Sequence, residues 1–408
     1  MVAKTPAKKT LKRSDTKSAA AARRRVCFVV TSFIHYSRSL FVLEELNKRK
    51  DVDLHIIIAG TALLNKYSSK FAYVKDILER DGFKNLYELY FNLEGDSHLT
   101  KAKTTGLGII EFATMFVNLK PDLVVMRGDR FEVLAAAVAA AYLRIPIAHI
   151  EGGDLTGSLD DSVRHAITKL SHIHFTTNEP ARRRVLSMGE PPDYVFNFGS
   201  PEVEVVHKIA NGNHHLDFGS TGSGAPFDLN QDFLMVMYHP VASETERLAE
   251  NTHVLLEAVH ELSIPTVWFW PNFDAGAEAI SHTLRVFIDQ TKNHQLRFMR
   301  YLPPKDFIWL LKHTRVLVGN SSAGIKECSY LGVPVVNIGS RQLARLRASN
   351  VLDVPEHNKN LIQGAIRKQM AKGRYTPSKL YLADGTARKI AETIATVPLY
   401  FQKRFVER

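Results

Sequence analysis

From Val26 onward the chain alternates short apolar, β-branched runs with longer stretches in which apolar residues recur every three or four positions. The runs at 26–30 (VCFVV), 54–59, 123–126, 147–150, 174–177 and 195–198 read as strands, with helical periodicity at 37–50, 106–119, 131–143 and 160–173 between them. Uninterrupted apolar strands joined by helical crossovers predict a parallel sheet covered on both faces. Over 211–230 (NGNHHLDFGSTGSGAPFDLN) Gly, Ser, Asn and Pro break the rhythm, as a linker or surface loop near a domain boundary does. It then restarts, with strands expected at 233–238, 266–270, 296–299, 316–319 and 333–338 and helices at 244–262, 276–290, 304–313 and 322–331. The expected fold class is α/β: two Rossmann-like, doubly wound domains, 26–200 and 201–384, facing across a cleft at the C-terminal ends of their strands. Periodicity does not place a last helix around 385–396; a return of residues 385–408 onto the N-terminal domain is one arrangement open to it.

Composition agrees with a globular chain. Of 408 residues 45% are hydrophobic and 23% charged, and the length favours two cores over one. No apolar run nears the roughly 20 residues of a spanning helix, and no signal-peptide core follows the basic start, so no membrane partner and a cytoplasmic location are expected. Cys27 and Cys328 lie in apolar stretches and form neither a disulfide framework nor a zinc site. The formal net charge of +11 first suggests nucleic acid. Its placement removes that reading, because residues 1–25 hold nine Lys/Arg against Asp15 alone, a net +8 that leaves +3 for the rest. This basic tail lacks aromatics and is expected to be disordered. A solvated extension is its simplest role; a nuclear signal, a transit peptide or a polyanion-binding arm are alternatives.

Three constellations carry candidate chemistry. MRGDR (126–130) puts Asp129 and Arg130 at the end of a strand, where such folds bind ligands; an ion pair capping the next helix is the plainer alternative. In HIEGGDLTGSLDDSVRHAITKLSH (149–172), Glu151 ends a strand before Gly152 and Gly153, which permit a tight turn and a close backbone approach. Ser158 and Asp161 have capping-box spacing, so a helix should start there. Val163, Ala166, Ile167 and Leu170 would face the core, leaving Asp161, Arg164, His165 and Thr168 on the other side. Dipole compensation alone explains adjacent acids at a helix start. Glu151, Asp160 and Asp161 converging on one cleft mouth would instead raise one another's pKa and suit proton removal and return. His149, His165, His172 and His174 lack HExxH spacing, and no metal is expected.

The third constellation is VLVGNSSAGIKE (316–327). A strand runs into Gly319–Ser322 and a helix follows, whose first N–H groups, with Ser321, Ser322 and Gly324, would cradle a phosphate. Glu327, one turn in, suits a ribose diol. The segment is neither a Walker A loop nor GxGxxG, and a capped turn with no ligand is the alternative. Loops at Tyr238-His239-Pro240, Pro271-Asn272-Phe273-Asp274 and Gly339-Ser340-Arg341 end strands of the same half, with His239 and Arg341 placed to meet a diphosphate.

Together these segments resemble the UDP-N-acetylglucosamine 2-epimerases, in their hydrolysing branch, from about Arg25 to Val354. The blocks that carry it are GDRFE, HIEGG…DDSVRH, HPV, PNFDAG and VGNSSAGIKE…GVPVVNIGSRQ. The resemblance implies a GT-B-like domain pair, a UDP-sugar substrate and a homo-oligomer; no cofactor is expected. By position it implies catalytic roles for Asp129, Glu151 and Asp160, and nucleotide contacts from Arg130, His239, Asn272, Asp274, Ser321, Ser322, Glu327 and Arg341. Asp161, His165, Arg164 and Gly324 join the candidates from their own clusters. The implied reaction converts UDP-N-acetylglucosamine and water to N-acetylmannosamine and UDP: a base takes the C2 proton as UDP leaves C1, and water adds to the resulting glycal with inversion at C2. One motif departs from the family. Phe33-Ile34-His35-Tyr36 stands where the family carries Arg-x-Asp-Tyr, which makes His35 a candidate proton carrier and Arg38 a candidate replacement cation. The same reaction on a UDP-diacetamido-trideoxy sugar, a GT-B glycosyltransferase and a nucleotide-sugar-binding regulator are the alternatives. No kinase domain is expected, since the chain ends at Arg408.

Overall fold

A computed structural model describes residues 23–64, 73–212, 216, 218–219, 221–224, 227–241, 244–291 and 295–407. The apolar runs form two all-parallel sheets. The first contains β1 (Arg24–Val30), β2 (Val52–Ala59), β3 (Leu86–Leu89), β4 (Leu123–Arg127), β5 (Ile147–Ile150), β6 (Ile173–Thr176) and β7 (Val195–Asn197), in the order β3-β2-β1-β4-β5-β6-β7. The second contains β8 (Leu234–Met237), β9 (Thr266–Phe269), β10 (Leu296–Met299), β11 (Val316–Gly319), β12 (Val335–Ile338) and β13 (Val351–Val354), in the order β10-β9-β8-β11-β12-β13. In each sheet the strand order reverses beside its first strand, at β1/β4 and at β8/β11. Such switch points open the crevice in which doubly wound folds bind ligands.

The helices are α1 (Phe33–Lys48), α2 (Val74–Arg80), α3 (His98–Leu119), α4 (Phe131–Tyr142), α5 (Leu159–Leu170), α6 (Glu179–Ser187), α7 (Pro201–Ile209), α8 (Leu248–His260), α9 (Ala277–Thr291), α10 (Pro304–His313), α11 (Ser322–Ile325), α12 (Glu327–Leu331), α13 (Lys359–Lys372) and α14 (Thr386–Thr396). Because strand side chains alternate, Val26, Phe28 and Val30 pack toward α1 while Cys27 and Val29 pack toward α3 and α4. Leu234 and Val236 divide from Met235 and Met237 in the same way in the second sheet. Both sheets are thus buried on both faces, as their continuous apolar strands predict. Helix α14 places Ala387, Ile390, Ala391 and Ile394 in the core beneath α1. Helix α7 lies between the two halves, with Val203 against Ile325 and Val205 and Val206 against Ile308. Among the described residues no helix is long and apolar enough to cross a membrane.

Three expectations change. Strand β1 starts at Arg24, so the last residues assigned to the tail are paired in the sheet: Arg24 sits opposite Val52, and the Arg25 N–H donates to Asp122 (2.7 Å). The rest of that tail, residues 1–22, lies outside the described residues. The helix expected over 322–331 breaks at Lys326 into α11 and α12. Described parts of 211–230 lie against edge strand β10, where the Arg297 guanidinium donates to the carbonyls of Thr221 (2.9 Å) and Gly224 (2.6 Å). Elements β3, α2, α6, α7, β13 and α13 carry no clear expectation; β3 (LYEL) and β13 (VLDV) are half-buried edge strands whose polar residues mask the apolar signal.

Candidate active site

The C-terminal ends of the two sheets face each other across a cavity of about 580 Å³, within the roughly 300–1,000 Å³ of small-molecule sites. Asp129, Arg130, Glu151, Asp160 and His35 line one wall, and His239, Asn272, Asp274, Ser321, Ser322, Glu327 and Arg341 the other.

On the first wall Asp129 follows β4 through Gly128 and ion-pairs with Arg164 of α5. Asp160 occupies the first turn of α5. Burial, and then Asp274 across the cavity, push its carboxyl above the usual range, with Arg341 and Arg130 opposing. His35 packs its Nδ1 against the Thr31 hydroxyl (3.0 Å). Burial and then Arg130 and Arg127 hold this imidazole well below the ordinary histidine pKa, so it is neutral near pH 7. Glu151 behaves oppositely to the expectation from converging acids. Burial would raise it, but Lys326, Arg127 and Arg345 override that and bring it down to about 2. Its φ of 77° lies in the left-handed region, strained for a residue with a β-carbon. Two residues on, Gly153, at φ 78°, has no room for a β-carbon, which would stand 2.5 Å from the Ala181 carbonyl oxygen.

On the second wall the His239 N–H donates to the Asn320 side-chain oxygen, and Asn320 Nδ2 returns a bond to the His239 carbonyl, both 2.8 Å. The Asn272 N–H donates to His239 Nδ1 (3.2 Å), so the proton of the neutral ring belongs on Nε2. Burial and then Arg341 lower His239 to about 3. Asp274 accepts from Asn272 Nδ2 (2.5 Å) and Arg341 (3.4 Å), and meets Arg130 of the opposite wall at 3.6 Å. Arg130 is itself clamped by two bonds to buried Glu132, at 3.0 and 2.9 Å. Arg38 of α1 crosses the cleft to Glu327 Oε1 (3.0 Å) and the Ser322 hydroxyl (3.1 Å). Glu327 Oε2 and Asn272 Oδ1 are buried with no hydrogen-bond partner among the described residues. Two acceptors without partners at a cavity wall suit ligand hydroxyl or N–H groups.

Four candidates do not line the cavity. Asp161 accepts from the Thr156 N–H and hydroxyl and the Gly157 N–H, each at 2.8 Å, and from Arg164 at 2.7 Å, which makes it the anchor of the preceding loop. The capping box is therefore displaced: Ser158 accepts from the Asp160 N–H (3.3 Å), while Asp161 reaches past it to 156 and 157. Arg164 is buried and spent on Asp129, Asp161 and the Asp154 carbonyl (2.9 Å). His165 is half-buried outside the cavity, its Nδ1 without a partner among the described residues. A β-carbon on Gly324 would meet Val335 Cγ1 at 2.9 Å and Leu317 Cδ2 at 3.1 Å, so this glycine serves close packing on β11 and β12, not approach to a ligand. The stripe expected on α5 holds at Val163, Ile167 and Leu170, which pack against the core shared with α4, but Ala166 is exposed. Arg164 and Thr168 are buried as well, because the helix turns a polar face toward Asp129 and His149.

The cavity also holds residues that sequence reasoning passed over. Lys101 of α3 donates to the Phe273 carbonyl (3.0 Å) across the cleft, and the Tyr301 ring lies 5.6 Å from that of Phe33. At the floor Arg127, Glu202 and Arg345, with Lys326 behind them, surround Glu151. Arg127 and Lys326 each sit inside a motif already singled out, yet only the fold brings them together. His149 donates to the Gly128 carbonyl (2.8 Å), His172 accepts from the Ile147 N–H (3.2 Å), and His174 meets buried Glu190 (3.1 Å).

Comparison with known proteins identifies relatives of the chain. The model of the UDP-N-acetylglucosamine 2-epimerase family matches residues 44–395. A UDP-N,N'-diacetylbacillosamine 2-epimerase (hydrolyzing) from Legionella pneumophila is 30% identical over 379 residues, covering 93% of this chain and 97% of that one. A UDP-N-acetylglucosamine 2-epimerase from Neisseria meningitidis is 28% identical over 390 residues, 94% of this chain and 99% of its own. The crystal structure of Methanocaldococcus jannaschii UDP-GlcNAc 2-epimerase in complex with UDP-GlcNAc and UDP shares the fold, at a TM-score of 0.73 and 19% identity over 91% of this chain and 99% of that one.

Proposed function

Since the chain belongs to the UDP-N-acetylglucosamine 2-epimerase family, we propose that it is the hydrolysing enzyme, releasing N-acetylmannosamine and UDP from UDP-N-acetylglucosamine and water. The observation that supports this reading is one cavity in which Asp129, Glu151 and Asp160 face an amide, hydroxyl and cation set suited to a nucleoside diphosphate. A C2–H bond is weakly acidic, so its base must be close and desolvated. Asp129, paired with Arg164 and a quarter open to the cavity, takes that proton. The C–H electron pair becomes the C1–C2 double bond, and the C1–O pair leaves on the β-phosphate of UDP. Arg341 and the Nε2–H of His239 stabilise the departing charge. Asp160, whose raised pKa lets it carry a proton, delivers one to the opposite face of C2 as water adds at C1; the proton that the water sheds returns to the Asp160 carboxylate, and the one held by Asp129 leaves to solvent with UDP. Glu327 Oε2 and Asn272 Oδ1 are the acceptors left for nucleoside hydroxyl and N–H groups. The proposal needs no cofactor and takes the enzyme to be a cytoplasmic homo-oligomer.

A second reading, the same reaction on a UDP-linked 2,4-diacetamido-6-deoxy sugar, is favoured by the apolar wall of Phe33 and Ile34 with Tyr301, which suits a methyl group better than a hydroxymethyl. Incubation of the protein with each UDP-sugar in D2O, followed by proton NMR, tests both. Free 2-epimerised sugar deuterated at C2, with UDP, is the expected product. Epimerised but UDP-linked sugar would replace hydrolysis by simple epimerisation; transfer only in the presence of an acceptor would mean a glycosyltransferase; binding without turnover of either sugar would leave a nucleotide-sugar-binding protein.

A further inference from the structure

Six charged side chains lie buried together at the cavity floor: Arg127, Glu151, Glu202 and Arg345 line it, with Asp154 and Lys326 behind them. Glu151 and Asp154 come from the turn after β5, Glu202 from the first turn of α7 and Arg127 from the end of β4. These four carry three negative charges and one positive. Lys326, at the break between α11 and α12, and Arg345, beyond β12, bring the balancing pair from the other half of the molecule. Lys326 is fully buried, and its ammonium meets Glu151, Glu202 Oε1 (2.9 Å) and Asp154 Oδ2 (3.1 Å). Arg127 is shared between Glu202 and Glu151 Oε2 (3.2 Å), and Arg345 reaches Asp154 (3.3 Å) and Glu151 (3.7 Å). The other groups facing the cluster add no net charge: Arg38, near Glu202, and Glu327, near Arg127, pair with each other at 3.0 Å, the Tyr381 ring lies 5.6 Å from the Lys326 ammonium, and neighbouring His149 and His35 are held neutral.

We propose that Lys326 is the positioning residue that keeps Glu151 an ionised carboxylate at the cavity, and that it does so only when the two halves of the molecule are closed on each other. A buried carboxylate without a cation takes up a proton instead of remaining charged. With the halves apart, Arg127 alone faces three carboxylates. Glu151 also sits in a strained left-handed conformation, which persists only where its surroundings over-determine it. Ion pairs from both halves supply that determination, so the charge the site needs is assembled by closure.

This inference rests on the proposed reaction for its kinetic readout but not for its second one. Wild type, K326M and K326R are compared in kcat and KM for the UDP-sugar from pH 5 to 9, and in thermal midpoint over the same range. K326M should lose at least tenfold in kcat with KM within about threefold, and the acid limb of its kcat profile should move up by about one pH unit or more. K326R should recover most of both. In K326M a carboxylate of the cluster binds a proton on folding. Its thermal midpoint should therefore fall, relative to wild type, as pH rises from 5 to 8. A K326M profile of unchanged shape, or K326R no better than K326M, would overturn the proposal. If K326M does not fold, K326Q, which removes the charge but keeps a polar side chain at the break, carries the same comparison. Absence of turnover by wild type would defeat the proposed function, while the pH dependence of the midpoints would still decide the role of Lys326.

Discussion

Replacing Glu327 with glutamine isolates the contact on which nucleotide recognition is proposed to turn. The carboxylate is almost fully buried, with Oε1 spent on Arg38 at 3.0 Å and Oε2 without a partner among the described residues. An unmatched buried acceptor costs about 1–3 kcal/mol, a cost that a ligand hydroxyl removes on binding; a hydrogen bond to a charged group is worth about 1.5–3 kcal/mol. E327Q keeps the shape but loses the charge, so the loss of UDP affinity should be about 2 kcal/mol, about thirty-fold in Kd. Pyrophosphate has no ribose and gives the control. Titration calorimetry of both ligands should show the loss for UDP only, and pyrophosphate held as well or better, because Arg38 is freed from its partner. Equal weakening of both ligands would place Glu327 at the phosphates, and unchanged UDP affinity would remove it from the nucleotide site.

Asp160→Asn should lower kcat at least a hundredfold with UDP affinity within threefold, measured by the NMR assay and calorimetry, since it removes the proposed proton carrier and none of the proposed nucleotide contacts. Gly324→Ala should cost about 1–3 kcal/mol of stability through overpacking against Val335 and Leu317, seen as a lower thermal midpoint with UDP affinity unchanged. His149, lowered to about 4 by burial, and His239, lowered to about 3 by burial and then Arg341, bind fewer protons folded than unfolded below about pH 6.5. Each should therefore withdraw up to about 1.4 kcal/mol of stability per pH unit as pH falls from 6.5 toward those values, which denaturant melts at pH 7, 6 and 5 would measure. Removing residues 1–22 should leave the thermal midpoint unchanged, whereas removing 1–25 should lower it, because Arg24 donates to the Ile394 carbonyl (2.7 Å) and the Arg25 N–H to Asp122.

Both doubly wound sheets were legible because their strands are buried on both faces and read as unbroken apolar runs; β5, β10 and β11 begin and end where the pattern places them. The edge strands and α5 were less legible, for a common reason. Binary pattern reports burial only where burial is apolar. Helix α5 packs Val163, Ile167 and Leu170 inward as its periodicity says, but it also buries Arg164 and Thr168 and exposes Ala166, which apolar periodicity does not report. The same cause misassigned chemistry. Asp161 and Gly324 stand in motifs beside cavity residues, but one anchors a loop and the other packs against a sheet, distinctions that depend on side-chain direction and not on spacing.

The acids at the cleft mark the deepest limit of sequence reading. Three carboxylates within eleven residues, Glu151, Asp160 and Asp161, suggested mutual repulsion and raised pKa values. The fold separates them into three environments. Asp160 remains beside an acid, Asp274, and is raised; Asp161 is enclosed by four donors; Glu151 meets Lys326, 175 residues away in the chain, together with Arg127 and Arg345, and falls to about 2. A group able to hold a proton and a group unable to hold one now stand at the same cavity. An elimination followed by hydration needs both, since a proton must be carried at one stage while fixed negative charge is kept at another. The pairing of one raised and one depressed carboxyl is therefore what the proposed reaction requires, and it arises from contacts between the two halves that no local motif contains.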